Sequence, residues 1–223
     1  MSFPQPGDPV RGSASGKPIM ALLDLLGRRW TLRVLWELHQ TPASFRVQPL
    51  QPPYTADIQA AFDRVMPPGM PPLKLFRSMA HNPRVLQRML AGGLLDRGSI
   101  ELRERELLIL RATALCGAEY EWGVHVAGFA GKAGFSAEQI ADTCSGRIDP
   151  TLWSLADQAL LELADSLHAS STVGEALWQR LGTHFSDEQL IECLLLVGFY
   201  HAVSFVVNGL RVELEDYAPR FPG

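Results

Sequence analysis

Nowhere does this chain alternate apolar and polar residues with period two over a useful length, which excludes a half-buried sheet. Helical punctuation recurs instead. Ser136–Gln139, Thr172–Glu175 and Ser186–Gln189 each read as a capping box, in which two side chains satisfy the free N–H groups of a first turn. Asn82 before Pro83 is a helix start with its cap and first-turn proline, and Asp149–Pro150 opens a longer helix. Behind these starts the apolar residues fall at helical spacing. Ile58, Phe62 and Val65 form one such set, Val85, Leu86, Met89 and Leu90 a second, and Leu152, Leu155, Ala159, Leu163 and Leu167 a third. The expected fold is all-α, a bundle of six to eight helices.

A chain of 223 residues has room for one or two domains and a full core. Its first 17 residues, rich in Pro, Gly and Ser, are expected to be disordered. From Pro18 two helical patterns follow, the second burying Leu32, Leu35, Trp36 and Leu38; together they predict a helical hairpin over 18–48. Pro49–Pro53 is a linker, and the main domain is placed at 54–217. Residues 1–50 hold six basic and three acidic residues, whereas the remainder holds 14 and 21, so the body is not a nucleic-acid surface.

Three cysteines, Cys116, Cys144 and Cys193, show no paired spacing, which suits a reducing cytoplasm better than a disulfide framework. The start carries no secretory signal pattern. Leu190–Leu210 is apolar enough to raise the question of a membrane span. Its interruptions at Glu192, His201 and Asn208 make a buried core helix the expectation, with no membrane partner. No paired cysteines or His-x-x-x-His spacing suggest a metal, no glycine loop suggests a phosphate, and no Gly-x-Ser-x-Gly elbow suggests a serine hydrolase. Neither a metal nor a cofactor is expected.

Chemistry concentrates in Glu101–His125, a charged opening, an apolar run, and then Glu119, Tyr120, Glu121, Trp122 and His125. Glu121 and His125 are four apart and share a helix face. The helical run Arg103–Cys116, carrying Glu106, is expected to pair antiparallel with a helix over Glu119–Lys132. That pairing brings a second carboxylate to the Glu–His pair. Apolar neighbours Trp122, Val124, Val126 and Phe129 would partly desolvate it, a setting in which working pKa shifts arise. His201, Ser204 and Asn208 form a polar stripe on the last helix, a candidate second wall for the same pocket, while Tyr200 beside them is assigned to packing.

This pattern resembles the carboxymuconolactone decarboxylase / alkylhydroperoxidase D-like family over about residues 54–215. The peroxidase branch carries Glu, then Cys-x-x-Cys-x-x-x-His; Glu106, Ala118, Glu121 and His125 stand at the matching positions, so both redox cysteines are absent. The decarboxylase branch has Glu-x-x-x-His, which Glu121–His125 satisfies. The resemblance implies an alkylhydroperoxidase D-like helical bundle, homo-oligomers, and a lyase of the decarboxylase kind. Its implied substrate is a small organic acid or lactone. The alternatives are a peroxiredoxin-type antioxidant role, disfavoured for want of Cys-x-x-Cys, and a non-catalytic protein associated with a partner or with DNA. His125 is then the acid–base group, Glu121 its orienter and Glu106 the end of a relay, with Tyr120 or His201 donating to a substrate oxygen. Trp122 and Phe129 supply the dry wall, and Arg111 is the nearest carboxylate clamp. Residues 18–46 resemble the opening of HxlR-type winged-helix regulators. The prolines that follow leave no room for a recognition helix, so no specific DNA binding is expected.

Overall fold

A computed structural model describes residues 46–222 of the chain. The expected disordered terminus, the helical hairpin and its winged-helix resemblance fall almost wholly on residues 1–45 and lie outside the described residues. What is described is all-helical, with no strand among the described residues.

The bundle is built around α4, Leu102–Leu115. Leu107, Leu108, Ile109 and Leu110 are consecutive and all fully buried. An α-helix buries four successive positions only when it is surrounded, so α4 has no solvent face. Around it pack α5 (Glu119–His125), α7 (Leu155–Ser170) and α9 (Asp187–Leu210). Their apolar faces meet at Leu160, Leu163, Leu196 and Val197. The sequence has the signals for each boundary. Glu104 reaches back to the Glu101 backbone N–H at 2.8 Å, and Ser186 caps α9 with Gln189 completing the box. At its C-terminus α4 closes in a Schellman turn: Ala118 N–H reaches Thr113 O at 2.8 Å and Gly117 N–H reaches Ala114 O at 2.9 Å. Gly117 has φ +61°, a conformation natural to a residue without Cβ. This turn sends α5 back along α4.

A second apolar cluster lies at one end, where α1 (Ala56–Val65), α2 (Lys74–Met79) and α3 (Pro83–Ala91) bring Ile58, Phe62, Leu75 and Leu86 against Val203 and Val207 of α9. After α9 the chain folds back, and Phe221 tilts against Trp122 with ring centroids 5.2 Å apart. Gly123 makes room for this return, because a Cβ there would lie 2.5 Å from Pro219 O.

Several local expectations are corrected. The helix expected through Lys132 is α-helical only to His125 and continues as a π turn over Val126–Ala130. Asp149–Pro150 starts a single 3-10 turn, Pro150–Leu152, and the long helix α7 begins again behind Ser154, whose hydroxyl accepts from Asp157 N–H. That re-phasing leaves Leu155 exposed instead of buried. Thr172–Glu175 forms no box; Gly174 is the cap of α8 (Glu175–Leu181), with no side-chain bond. Val85, expected in the core, is exposed. Among the described residues α9 is long and apolar enough to cross a membrane, but its Leu190, Leu196, Tyr200 and Val207 face is buried in the bundle.

Candidate active site

The antiparallel return of α5 along α4 places Glu106 opposite His125. The two are nineteen residues apart in sequence, yet His125 Nδ1–H donates to Glu106 Oε2 at 2.7 Å with both side chains buried. One turn earlier on α5, Glu121 puts Oε1 3.5 Å from His125 Nε2. From α9, Tyr200 sets its hydroxyl 3.0 Å from the same nitrogen. Phe129, in the π turn, lies 5.4 Å from the imidazole, centroid to centroid.

Two anions this deep require compensation, since an unpaired buried charge is costly. Arg105 supplies one cation: its Nη2 lies 2.9 Å from Glu106 Oε1, and its Nη1 donates to Leu95 O. The imidazolium of His125 supplies the other. Burial by itself pushes the His125 imidazole down; its hydrogen bonds to Glu106 and then Glu121, with their charges, outweigh it and lift the group to about 9. His125 therefore holds its proton at neutral pH, and the four groups sum to no net charge. Burial, with Glu121 and Glu106 nearby, pushes the Tyr200 phenol well up, so it stays protonated and able to donate.

The cluster has one open side. A cleft of about 480 Å³ runs between α1–α3 and α9 and ends on Glu121 and Tyr200. Its walls include Val65, Phe76, Met89, Leu90, Phe199 and Val203, with Arg64 and Asp96 also lining it. Size and lining suit a small molecule with an apolar body. Glu121 is 6% exposed, and its Oε2 has no hydrogen-bond partner among the described residues. A buried carboxylate oxygen without a partner is a high-energy acceptor, because it has lost water without replacement.

Four of the eight residues singled out in the sequence come together: Glu106, Glu121, His125 and Phe129. The other four do not. Tyr120 points to the opposite side, donating to Glu215 Oε1 at 2.7 Å and accepting from Leu75 N–H at 3.2 Å. Trp122 is a core tryptophan whose indole N–H donates to Thr143 Oγ1 at 3.0 Å, so it lines no part of the cleft. Arg111 is committed to Asp165 at 2.6 Å and to the carbonyls of Thr143 and Ser145, and is no substrate clamp. His201 turns away from the cluster toward His168, 3.0 Å distant, because residues adjacent on a helix face about 100° apart.

Tyr200 and Arg105 were missed. Tyr200 carried a signal, since a tyrosine on an apolar helix face needs a partner for its hydroxyl. Arg64 and the other cleft residues carried none: apart from Arg64, α1–α3 contribute an apolar wall to the cleft. Tyr54 and His81, near this wall in sequence, reach the Leu50 and Gln48 carbonyls and do not line the cleft.

Residues 83–165, which include α3 to α6 (Ala137–Asp142) and the start of α7, match the carboxymuconolactone decarboxylase family model. Among solved structures, an uncharacterised peroxidase-related protein from Silicibacter sp. TM1040 superposes with TM-score 0.68 at 17% identity, covering 82% of this chain and 97% of its own. The debrominase Bmp8, in complex with 2,3,4-tribromopyrrole, superposes with TM-score 0.65 at 13% identity, covering 79% and 95%. A peroxidase-related protein with an alkylhydroperoxidase AhpD core, from Ralstonia eutropha JMP134, gives TM-score 0.63 at 21% identity, covering 78% and 95%. These likenesses establish the AhpD-like fold. No functionally curated protein matches the sequence.

Proposed function

We propose that this chain is an acid–base enzyme of the carboxymuconolactone decarboxylase kind, acting on a small organic acid or lactone bound in the cleft above Glu121. The observation that carries the reading is the Glu121 carboxylate, which lines an apolar cleft, has no hydrogen-bond partner for Oε2 among the described residues, and is backed by a protonated histidine. A carboxylate so placed takes a proton from carbon beside a carbonyl; where carbon dioxide leaves instead, the carbon receives the His125 proton passed through Glu121, and His125 regains one from solvent at the end of the turnover. Tyr200 donates to the oxygen on which charge develops, and the apolar walls exclude the water that would weaken both contacts. Glu121 meets the substrate directly. His125, buried behind it, keeps its proton through Glu106 and steadies the Glu121 carboxylate between turnovers. Arg64 is the cation for a substrate carboxylate.

Crystals soaked with small keto acids and lactones identify a binder, on which Glu121→Gln and His125→Ala are then assayed. General acid–base groups contribute about 10²–10⁴-fold, and a loss in that range is expected for Glu121→Gln. Full rate in that variant removes Glu121 from the mechanism and the reading with it.

Thiol-dependent peroxide reduction is not supported. Ala118 and Glu121 occupy the two redox positions, and burial pushes the Cys116 thiol up, opposite to what a reactive thiolate needs. The apolar positions Ile191, Leu195 and Phe205, exposed along α9, favour a homo-oligomer. Light scattering that shows only monomer at micromolar concentration counts against that assembly.

A further inference from the structure

Cys116, His168 and His201 are scattered over 85 positions of sequence, and no local spacing links them. The bundle brings them to one point. Cys116 caps the C-terminus of α4, His168 lies in the last turn of α7, and His201 sits within α9. Cys116 Sγ is 3.9 Å from His168 Nδ1, and His168 Nδ1 is 3.0 Å from His201 Nε2. One ligand atom from each residue lies within 4.8 Å of both others. None of the three belongs to the Glu106–His125 cluster or lines its cleft.

We propose that Cys116, His168 and His201 form a three-ligand site for a divalent transition ion of the zinc class, clamping α4, α7 and α9 together. Tetrahedral zinc, with Zn–N of about 2.0–2.1 Å and Zn–S of about 2.3 Å, holds nitrogen donors about 3.4 Å apart and sulfur about 3.6 Å from nitrogen. The observed separations, 3.0 Å between the imidazole nitrogens and 3.9 Å from sulfur to nitrogen, are within a few tenths of an ångström of that geometry.

The supporting contacts are those a metal site needs. His201 Nδ1–H donates to Val197 O at 2.9 Å, which leaves the Nε2 lone pair directed at the other two ligands. Asn208 Nδ2 donates to Cys116 O at 2.9 Å and, with the Schellman turn, fixes the backbone that carries the thiol. Without an ion, His168 Nδ1–H fills the gap by donating to His201 Nε2. On binding, that proton moves to Nε2 of the solvent-exposed His168 ring, and the Cys116 proton is released to solvent. Two imidazoles and one thiolate suit zinc or cobalt over magnesium or calcium, and a fourth position is left for water.

The test is titration of the reduced, metal-stripped full chain with cobalt(II) as an optical probe. The expected result is a saturable single-equivalent spectrum with a thiolate-to-cobalt charge-transfer band and tetrahedral visible bands, displaced by zinc. Cys116→Ser is expected to abolish the charge-transfer band. His168→Ala and His201→Ala should each weaken binding by at least about tenfold, the lower bound for disturbing even a supporting contact. Cys144→Ser and His184→Ala are expected to leave the spectrum unchanged. Zinc should raise the melting temperature of the parent chain and not of Cys116→Ser, since an ion that binds only the folded state stabilises it. No saturable spectrum in the folded parent chain, or a charge-transfer band that survives Cys116→Ser or full affinity in His168→Ala, overturns the site. His168 is exposed, so its alanine variant tests the site even if the substitutions inside the bundle fail to fold.

Discussion

His125 makes the stability of this protein depend on pH in a defined window. Its imidazole is held at about 9 in the folded chain, against an ordinary value of 6.5. A group with a raised folded value stabilises fully below its unfolded value, and that contribution disappears as pH rises through the folded one. Across pH 6.5 to 9 the folded chain binds one proton more than the unfolded chain at this residue. Stability therefore falls with a limiting slope of about 1.4 kcal/mol per pH unit, or about 3 kcal/mol in all. Cysteine adds a loss of the same sign at the upper end. Burial pushes the thiols of Cys116, Cys144 and Cys193 up, the last to about 12, whereas in the unfolded chain they ionise near pH 8.5–9. Urea denaturation at half-unit pH intervals on the parent chain and on His125→Gln separates the two, because only the parent carries the histidine part. The variant itself is expected to lose about 3–5 kcal/mol, since Glu106 and Glu121 lose their shared cation. Carbon-13 NMR of the histidine rings in the parent chain gives an independent reading that does not require the variant to fold well. All six histidines titrating below pH 7.5, or equal pH slopes for parent and variant, would refute the claim that Glu106 and Glu121 outweigh burial at His125.

Other outcomes follow from single contacts. Arg105→Met removes one of the two cationic partners of fully buried Glu106 and should destabilise by about 3 kcal/mol or more in urea melts, with no compensation from salt. Gly123→Ala drives a Cβ against Pro219 O and should cost about 1–3 kcal/mol while freeing the Ala218–Phe221 return for proteolysis, detectable by mass spectrometry. Tyr120→Phe leaves the Leu75 N–H without its acceptor and should lose about 1–3 kcal/mol of stability at unchanged kcat, because Tyr120 faces away from the cleft. Arg64→Ala should raise KM for a carboxylate substrate and leave the melting temperature within about 1 °C, as expected for a surface position away from the core.

The sequence alone determined the helical class, because capping signals and apolar spacing are local and sit within a turn of the backbone they govern. It also determined the Glu121–His125 pair, since an i,i+4 spacing on a helix leaves little freedom, and it pointed to Glu106 through the expected antiparallel pairing of Arg103–Cys116 with the helix from Glu119. It misjudged Tyr120, Trp122 and Arg111, whose side chains find partners more than 20 positions away, at Glu215, Thr143 and Asp165. No periodicity records such partners. For Tyr200 and His201, neighbours in sequence, the rotation of α9 against the bundle decided the matter: one faces His125 and the other His168. The cleft needed the packing of α1–α3, and the Cys116–His168–His201 cluster needed three helices to converge. Both exist only where distant segments meet, so only the tertiary structure could reveal them.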